Sequence, residues 1–277
     1  MNSNKAVHDI QPIRGWAAPN LRELWDYREL LFFLTWRDLK VRYKQTALGA
    51  GWALIPSIFN MLIFSIIFGG LAKLPSEGVP YAVFSYIGLV PWGMFSGAFN
   101  SAGNSLLSGA SISAKVYFPR LINTLSSVLS ALVDSAFSFV VLLGLLLWFG
   151  ILPGWNTLLL PLFAILGIFT ALAAGIWLAA LSAQYRDVAQ VSGILTTMWM
   201  YASPVAYSPT LLPSGFLSYI YWINPVAVVI QGFRWALLGS ELPPYSMIVI
   251  SSSLVLIFLV GGLFYFHRVE QTFVDWV

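Results

Sequence analysis

The stretch Trp36-Arg-Asp-Leu-Lys-Val-Arg-Tyr-Lys44 is the last charged segment before a long stretch of uncharged residues. Eight of the fourteen Lys and Arg residues lie at or before Lys44, whereas the residues that follow it, 45–72, carry no charge. Further uncharged blocks cover 78–114, 135–185 and 188–233. Moving one charge from water into hydrocarbon costs roughly 3 kcal/mol on insertion scales. Long uncharged blocks separated by brief charged islands therefore indicate repeated crossings of a bilayer.

The composition leads to the same conclusion. The 277 residues are 58% hydrophobic and 9% charged, whereas soluble domains carry about 25% charged residues. The chain is therefore predicted to be an integral membrane protein. Its net charge of +3 would suit a nucleic acid, but the Lys and Arg residues flank apolar spans, so a role in membrane topology explains them better. The lack of cysteine excludes disulfides and thiolate metal sites.

The polar front of the chain divides into two parts. Residues 1–19 are expected to form a flexible lead, with no apolar stretch of the kind that marks a signal peptide. Residues 20–44 are predicted to form a cytoplasmic amphipathic interface helix, because Asn20 occupies an N-cap position and Glu23 follows three residues later. The apolar residues of its first half recur at helical spacing: Leu24, Tyr27, Leu31 and Leu34. Such a helix is too polar to span a membrane and suits its interface.

Residues 45–277 are predicted to form one all-α polytopic domain with six transmembrane helices. A span needs about 20 apolar residues, and six segments meet this length: 48–71, 82–106, 122–149, 156–182, 189–207 and 245–266. The intervening 208–240 is apolar but broken by Pro, Gly and the pair Asn224-Pro225. The distribution of Lys and Arg also allows a seventh span here, but the helix-breaking residues favour short re-entrant helices before the last span. Six spans with both termini cytoplasmic place twelve Lys and Arg inside and only Lys73 and Arg234 outside, as the positive-inside rule favours.

Several kinds of chemistry are not expected in this chain. It has no phosphate-binding loop of the G-x-x-x-x-G-K-[ST] type, and its two histidines, His8 and His267, lie near the ends. We therefore expect no catalytic residues, no metal site and no cofactor. Asp134 is the one carboxylate inside a predicted span. An intramembrane acid can be functional, but without a titratable neighbour it is expected to be structural, bonded to a hydroxyl or backbone group of a neighbouring span.

The chain offers aromatic surface instead. Trp92, Phe95 and Phe99 fall on one helix face of the second span, which also carries Asn100 and Asn104. The fifth span adds Trp199, Tyr201 and Tyr207. Aromatic faces bind the C–H faces of sugar rings, and amide groups bind their hydroxyls, so these six aromatic residues are candidates to line a sugar-conducting channel. The alternative is packing, together with the interfacial aromatic belt of membrane proteins.

Two cytoplasmic connections are further candidates. One contains Lys115, Val116, Tyr117, Phe118, Pro119 and Arg120. It is short and amphipathic, so it could press on a soluble partner or serve only as a connector. The other is the turn Tyr185, Arg186 and Asp187, which pairs one cation with one anion and could equally be a solvated turn.

In order and spacing, these stretches resemble the type-2 ABC exporter permeases for polysaccharides, from about residue 22 to the end. The matching segments are Trp36–Lys44, Leu48-Gly-Ala-Gly-Trp52 with Pro56, Lys115–Arg120, Tyr185–Asp187, Asn224-Pro225 and Phe273-Val-Asp275. The resemblance implies a homodimer in the bacterial inner membrane with a channel at its interface. It also implies two separate ATPase subunits, which bind ATP and Mg and dock through Lys115–Arg120. The implied cargo is a lipid-linked polysaccharide of the O-antigen, capsular or teichoic type.

This resemblance gives the basic front of the chain a second possible role. Arg37, Lys40, Arg42 and Lys44 would lie at headgroup level, where they could meet an anionic lipid-linked substrate or phospholipid headgroups alone. Three other functions stay open at this point. They are an exporter of a drug or small lipid with the same architecture, an intramembrane transferase for lipid-linked sugars that uses Asp134, and a passive channel.

Overall fold

The computed structural model describes residues 21–44, 46, 49, 51–113, 118–211 and 215–272. Within these ranges the regular structure is helical throughout. The α-helices are α1 (Leu21–Asp26), α2 (Arg28–Tyr43), α3 (Gly51–Phe64), α4 (Tyr81–Ser113), α5 (Leu121–Trp148), α6 (Leu160–Gln184), α7 (Arg186–Tyr201), α8 (Phe216–Ile223), α9 (Pro225–Leu238) and α10 (Tyr245–Thr272). A π-helical stretch, Ser65–Leu71, prolongs α3, and a 3-10 turn, Trp155–Leu159, precedes α6. The predicted lead 1–19 lies outside the described residues.

Five helical segments among the described residues are long and apolar enough to cross a bilayer. They are Gly51–Leu71, Tyr81–Leu106, Leu121–Trp148, Trp155–Gln184 and Tyr245–Glu270, and they correspond to five of the six predicted spans. In place of the predicted span 189–207 stands α7, with 16 residues. At about 1.5 Å per residue, α7 is roughly 24 Å long, which is less than the roughly 30 Å thickness of a hydrocarbon core. The broken segment 208–240 contains the two short helices α8 and α9.

Helix α4 lies at the centre of the bundle and packs against α3, α5, α6, α7 and α9. Small residues let it approach α6 closely, because a Cβ atom on Gly175 would lie only 2.8 Å from the Cβ of Ala102. A Cβ on Gly103 would similarly collide with Leu178. Small residues at a helix interface are the usual means of close packing in membranes, where burial of apolar surface adds little.

The helix predicted over 20–44 is present as α1 and α2, with the interruption at Tyr27. α2 runs along the first half of α5 in the same direction. Near its middle, Leu34 belongs to one buried cluster with Phe118 and Ile122. At its end, the ring of Tyr43 lies edge-on to Phe137, with 6.2 Å between ring centroids. α2 is therefore attached along α5 and rises toward the middle of that helix.

The bundle has two ends, which we name by their contents. The basic end holds the start of α5, the turn between α6 and α7, and the end of α10. There the backbone N–H of Arg120 donates to Oε1 of Glu270 at 2.6 Å, and the Tyr265 hydroxyl donates to Oε1 of Gln184 at 2.7 Å. The distal end holds the loop 72–80, the segment 202–211 and the loop 239–244.

At the distal end, the side chain of Arg234 on α9 is fully buried. It donates to the carbonyl oxygens of Val205 and Tyr207 at 3.0 and 3.1 Å. The guanidinium carbon also lies 3.8 Å from the ring centroid of Phe84 on α4, a cation–π arrangement. Arg234 therefore fastens the segment after α7 to the centre of the bundle.

Candidate functional site

A stripe of polar side chains runs down one face of α4 and is open on the outside of the chain. It consists of Ser96, Asn100, Asn104 and Ser108, four residues apart, and its exposure increases toward the basic end. Asn100, Asn104 and Ser108 each donate to the carbonyl oxygen four residues earlier, at 2.8, 3.1 and 3.0 Å. These bonds use one hydrogen-bond donor of each side chain. The remaining donors and acceptors of the amide and hydroxyl groups are available to water or a polar ligand. We call this face the polar stripe.

Helix α7 borders the polar stripe. The hydroxyl of Thr196 lies 3.3 Å from Oδ1 of Asn100 and also donates to the carbonyl oxygen of Ser192 at 2.7 Å. Further along α7, the side chain of Tyr201 is exposed. The contact between Thr196 and Asn100 joins α7 to the polar stripe, whereas no contact joins Tyr201 to the stripe among the described residues. In the sequence, this surface is indicated by polar residues spaced four apart within an apolar span. Two of these residues, Asn100 and Asn104, were identified from the sequence.

The aromatic row of α4 lies on the other side of that helix. Trp92, Phe95 and Phe99 are between 2% and 6% exposed and belong to the main core cluster. Phe95 stacks on Phe99 at 5.7 Å and meets the ring of Trp199 at 4.8 Å. Adding a second copy of the chain could only bury these rings further. In this structure these rings pack in the core between α4 and α7. This differs from the sequence-based expectation that they line a sugar-conducting channel.

Trp199 links this aromatic cluster to the junction of α8 and α9. Its indole N–H donates to Oδ1 of Asn224 at 3.1 Å, and the same oxygen caps α9 by accepting from the N–H of Val226 at 3.1 Å. The Asn224 amide donates to the hydroxyl of Ser203 at 2.9 Å. The Asn224-Pro225 pair is therefore a junction of three segments: Asn224 caps the helix, and Pro225 occupies its first position, where a missing N–H is tolerated.

The remaining predicted aromatic residue, Tyr207, is partly buried at the distal end. Its hydroxyl donates to the carbonyl oxygen of Tyr201 at 3.3 Å, and its own carbonyl accepts from Arg234. Tyr207 thus holds the turn after α7 in place. Of the six aromatic residues predicted for a channel, only Tyr201 is exposed to the outside of the chain.

Phe99 and Trp199 also border a second feature, an apolar groove of about 670 Å³ between α6, α7, α8 and α10. The indole of Trp177 lies in its wall and donates to the carbonyl oxygen of Phe258 at 2.8 Å. The groove is lined mostly by apolar residues. It is therefore suited to hydrocarbon and not to a hydrated chain.

The basic residues of α2 separate into two groups. Lys40 and Lys44 are exposed and border, with Phe33, Trp36, Arg37 and Val41, a shallow cavity of about 290 Å³. Arg37 forms an ion pair with its neighbour Asp38 at 2.7 Å. This face combines apolar rings with cations, as surfaces that lie against anionic lipid do. We call it the cationic face of α2.

Arg42 and Tyr43 instead turn to α5, where both donate to the carboxylate of Asp134. Burial, and then the bond to Asp134, raise the pKa of the Tyr43 phenol to about 12, so it stays a protonated donor at any physiological pH. The sequence-based expectation of a hydroxyl partner for Asp134 is thus met, but the partner lies on α2 and not on a neighbouring span. The carboxylate of Asp134 thus has a cation and a phenol as its partners.

The connection to α5 is partly described. Lys115, Val116 and Tyr117 lie outside the described residues. Phe118 is buried beneath α2, and Pro119 and Arg120 follow at its edge. The bond from the Arg120 N–H to Glu270 ties this connection to α10.

Tyr185, Arg186 and Asp187 lie at the same end, in the turn from α6 to α7. Tyr185 and Asp187 are exposed, and α7 begins at Arg186. Asp187 in the first turn is favourably placed for the helix dipole. Within the described ranges, no group of three or more His, Cys, Asp or Glu residues could hold a metal ion.

The sequence of the chain is similar to those of known transport proteins. A family model described as "ABC-2 type transporter" matches residues 29–238. An "O-antigen export system permease protein RfbA" of Klebsiella pneumoniae is 30% identical over 262 residues, covering 92% of this chain and 96% of the relative. A protein of the same name from Myxococcus xanthus is 27% identical over 253 residues, covering 90% and 96%. The "Polysialic acid transport protein KpsM" of Escherichia coli is 22% identical over 207 residues, covering 73% and 78%.

Proposed function

Because the chain belongs to the ABC-2 type transporter family, we propose that it is the membrane permease subunit of an ATP-driven exporter of polysaccharide. The observation that carries this proposal is the near full-length similarity to relatives named as O-antigen export permeases. We further propose that the cargo is a lipid-linked polymer, that the membrane is the bacterial inner membrane and that the energy comes from separate ATPase subunits.

The polar stripe supports a path for a hydrated chain. Unpaired amide and hydroxyl groups facing lipid are unfavourable, so the exposed side chain of Asn104 needs water or a polar neighbour. We propose that two copies of the chain face each other across the polar stripe and enclose an aqueous lumen. The two helices α3 and α7, which pack against α4, carry exposed apolar side chains that a second copy could cover: Phe59 and Ile63 on α3, and Ile194 and Met198 on α7.

Hydroxyls of a sugar chain would exchange hydrogen bonds with Asn100 and Asn104 as they exchange them with water. Tyr201, which is exposed near the end of α7, would offer an aromatic face to the sugar rings. The polymer must advance through many registers. Many weak and similar contacts therefore suit processive movement better than one strong site.

For the topology we propose six spans with both termini cytoplasmic. Helix α7 and the turn after it would cross together, and α8 and α9 would enter from the outer side and return. This places the basic end inside, as the excess of Lys and Arg there favours. One ATPase subunit, holding ATP and Mg, would dock on each copy through Lys115–Arg120, with the nearby turn Tyr185–Asp187 at the rim.

For the lipid end of the substrate we propose the cationic face of α2. Lys40 and Lys44 are free of ion pairs among the described residues, and each cation near an anionic headgroup contributes about 1 kcal/mol. Phe33 and Trp36 lie beside them with exposed rings. A pyrophosphate or phosphate lipid would thus find charge and apolar contact together.

The test is export of polysaccharide by cells that lack the gene and by the same cells after complementation. Cells that lack the gene should lose surface polysaccharide and accumulate the lipid-linked polymer inside, and the wild-type chain should restore export only with an ATPase subunit able to hydrolyse ATP. Restoration without hydrolysis would indicate a passive channel and overturn the proposal. Normal surface polysaccharide in the deletion strain, with altered drug resistance, would favour the exporter of small molecules.

A further inference from the structure

The distal end contains a cavity of about 540 Å³ that the export path described above does not use. It lies between the loop 72–80, the segment 202–211, helix α9 and the loop 239–244. Its size falls within the range of about 300–1,000 Å³ that is typical of small-molecule sites. The polar side chains that line it come from four separate parts of the sequence: Glu77, Ser208, Thr210, Gln231, Ser240 and Glu241. We call it the distal cavity.

Gln231 is the first sign that the distal cavity holds a ligand. Its side chain is 3% exposed, and its amide nitrogen donates to the carbonyl oxygen of Glu241 at 2.9 Å. Its amide oxygen has no hydrogen-bond partner among the described residues. Buried polar atoms are rarely left unsatisfied in native structures. Gln231 is one of the residues that line the cavity, and a buried acceptor without a partner in that residue calls for a ligand that donates a hydrogen bond.

The carboxylates narrow the class of ligand. Glu77 accepts from the hydroxyl of Ser208 at 2.6 Å and from that of Ser240, so its two oxygens are fixed at the wall. Glu241 is exposed at the rim. An ionised carboxylate only accepts hydrogen bonds, and no Lys, Arg or His is among the residues that line the cavity. A phosphate or pyrophosphate would be repelled here, whereas a neutral donor-rich molecule is favoured.

Trp222 adds a contact of another kind. Its ring, partly exposed and edge-on to Tyr221 at 5.0 Å, forms part of the wall. An indole gives a large rigid apolar face with one polar edge. A ligand that matches this wall has many hydroxyl donors and an apolar C–H face, which is the combination found in a sugar ring.

We infer that the distal cavity is a saccharide-binding site that holds a short run of neutral sugar units of the polymer, an inference that rests on the proposed function. Gln231 and Glu241 accept hydrogen bonds from sugar hydroxyls, and Trp222 stacks on the ring. The two chemical parts of the substrate are then recognised at two separate places on the chain. The anionic lipid meets the cationic face of α2, and the sugar meets carboxylates and an amide.

The experiment measures binding directly. The purified complex with its ATPase subunit is placed in lipid nanodiscs and titrated with oligosaccharides released from the exported polymer by mild acid. The wild-type complex should bind these oligosaccharides. Gln231→Leu and Glu241→Gln should each raise the Kd at least about tenfold, as expected for loss of one buried or charge-assisted hydrogen bond. Tyr245→Phe removes an exposed hydroxyl beside the cavity but not in its lining, so it should bind as wild type does.

Three results would overturn the inference. One is a complex that exports polymer yet does not bind the fragments, which leaves the proposed function standing. Another is fragment binding that survives both substitutions. The third is binding of CaCl2 instead of sugar, abolished by Glu241→Gln, which would identify a cation site. If Gln231→Leu does not assemble, Glu241→Gln still decides the question, because its side chain is exposed. Failure of the wild-type complex to export any polysaccharide would instead count against the proposed function.

Discussion

Arg42, near the end of α2, donates to the carboxylate of Asp134, which lies midway along α5. Arg42 carries one of the last charges before the long uncharged stretch 45–72. Asp134 is the single carboxylate within the described part of α5. Tyr43 shares the same carboxylate. The pair therefore joins the helix that precedes the spans to the middle of a span, and it adds a charge–charge contact to the apolar packing that holds α2 on α5.

Removing either member of this pair should loosen α2. We expect Arg42→Ala and Asp134→Asn each to lower the thermal unfolding midpoint of the purified protein. The double variant should lose less than the sum of the two. The coupling should be about 1–3 kcal/mol, as for hydrogen bonds to charged groups, and a double-mutant cycle measures it.

Arg37→Ala is the matched control, because Arg37 pairs with its own neighbour Asp38 and bridges no two helices. It should leave the unfolding midpoint close to that of wild type. Additive losses from Arg42→Ala and Asp134→Asn would show that the pair does not act as a unit. Loss of all turnover in Asp134→Asn, with normal stability and assembly, would instead favour the transferase.

The exposed cations of α2 should matter for substrate and not for folding. We expect Lys40→Gln combined with Lys44→Gln to reduce export severalfold at unchanged thermal stability, because the side chains are exposed and an anionic headgroup loses two attractive charges. Surface polysaccharide and the amount of folded protein are measured in the same cells. Lys73→Gln makes the same change at the distal end and should export normally. Equal export by all three proteins would reduce the cationic face to a determinant of topology.

Asn104 tests the polar stripe. Among the residues that the structure describes, its exposed amide bonds only to the carbonyl oxygen of Asn100, so Asn104→Leu should not lower the thermal stability. Export should nevertheless fall severalfold, because an apolar side chain would interrupt the hydrated surface. Ser253→Leu replaces an exposed polar residue of α10 that is not on the stripe. If both variants export at the same rate, the stripe is not part of the path.

Gly232 tests the packing of α9 against α6. A Cβ atom there would lie 2.1 Å from Cδ1 of Phe163, so Gly232→Ala must displace that ring. We expect a loss of about 1–3 kcal/mol, as for other overpacked cores, visible as a lower unfolding midpoint. A Cβ on Gly93 of α4 meets nothing within 4 Å, so Gly93→Ala should be neutral or slightly stabilising. Equal midpoints would contradict the close approach of the two helices.

Glu270 tests whether the connection before α5 transmits force. It accepts from the N–H of Arg120, so Glu270→Ala should free this connection from α10. We expect the complex to keep hydrolysing ATP while exporting less polymer per ATP. Glu29→Ala removes an exposed acid on α2 and should not change that ratio. A proportional loss of hydrolysis and export would show damage to subunit docking and not to coupling.

Much of the fold follows from the position of charge. The absence of charge in 45–72 and 78–114 was enough to predict α3 and α4, because charge in hydrocarbon is costly over any stretch of that length. The breakers around Asn224-Pro225 likewise predicted short helices there, since Pro225 cannot continue a preceding helix. Such local rules need no knowledge of the neighbouring helices.

The candidate site was harder to predict, and the aromatic row shows why. Trp92, Phe95 and Phe99 share a helix face, but the sequence does not say whether that face meets protein, lipid or water. The structure buries it against α7. The opposite face, with Asn104, is the exposed one.

The sequence by itself determined that this polysaccharide-export permease is a helical membrane protein, where most of its spans lie and that its basic residues gather before the first of them. These properties depend on the transfer of single residues and short segments from water, which composition reports directly. Only the tertiary structure decided that Arg42 is paired with Asp134 while Lys40 stays exposed, and that Gln231 meets Glu241 in the distal cavity. Those outcomes depend on which helices become neighbours, and that is set by close packing at residues such as Gly175 and not by the pattern of any one segment.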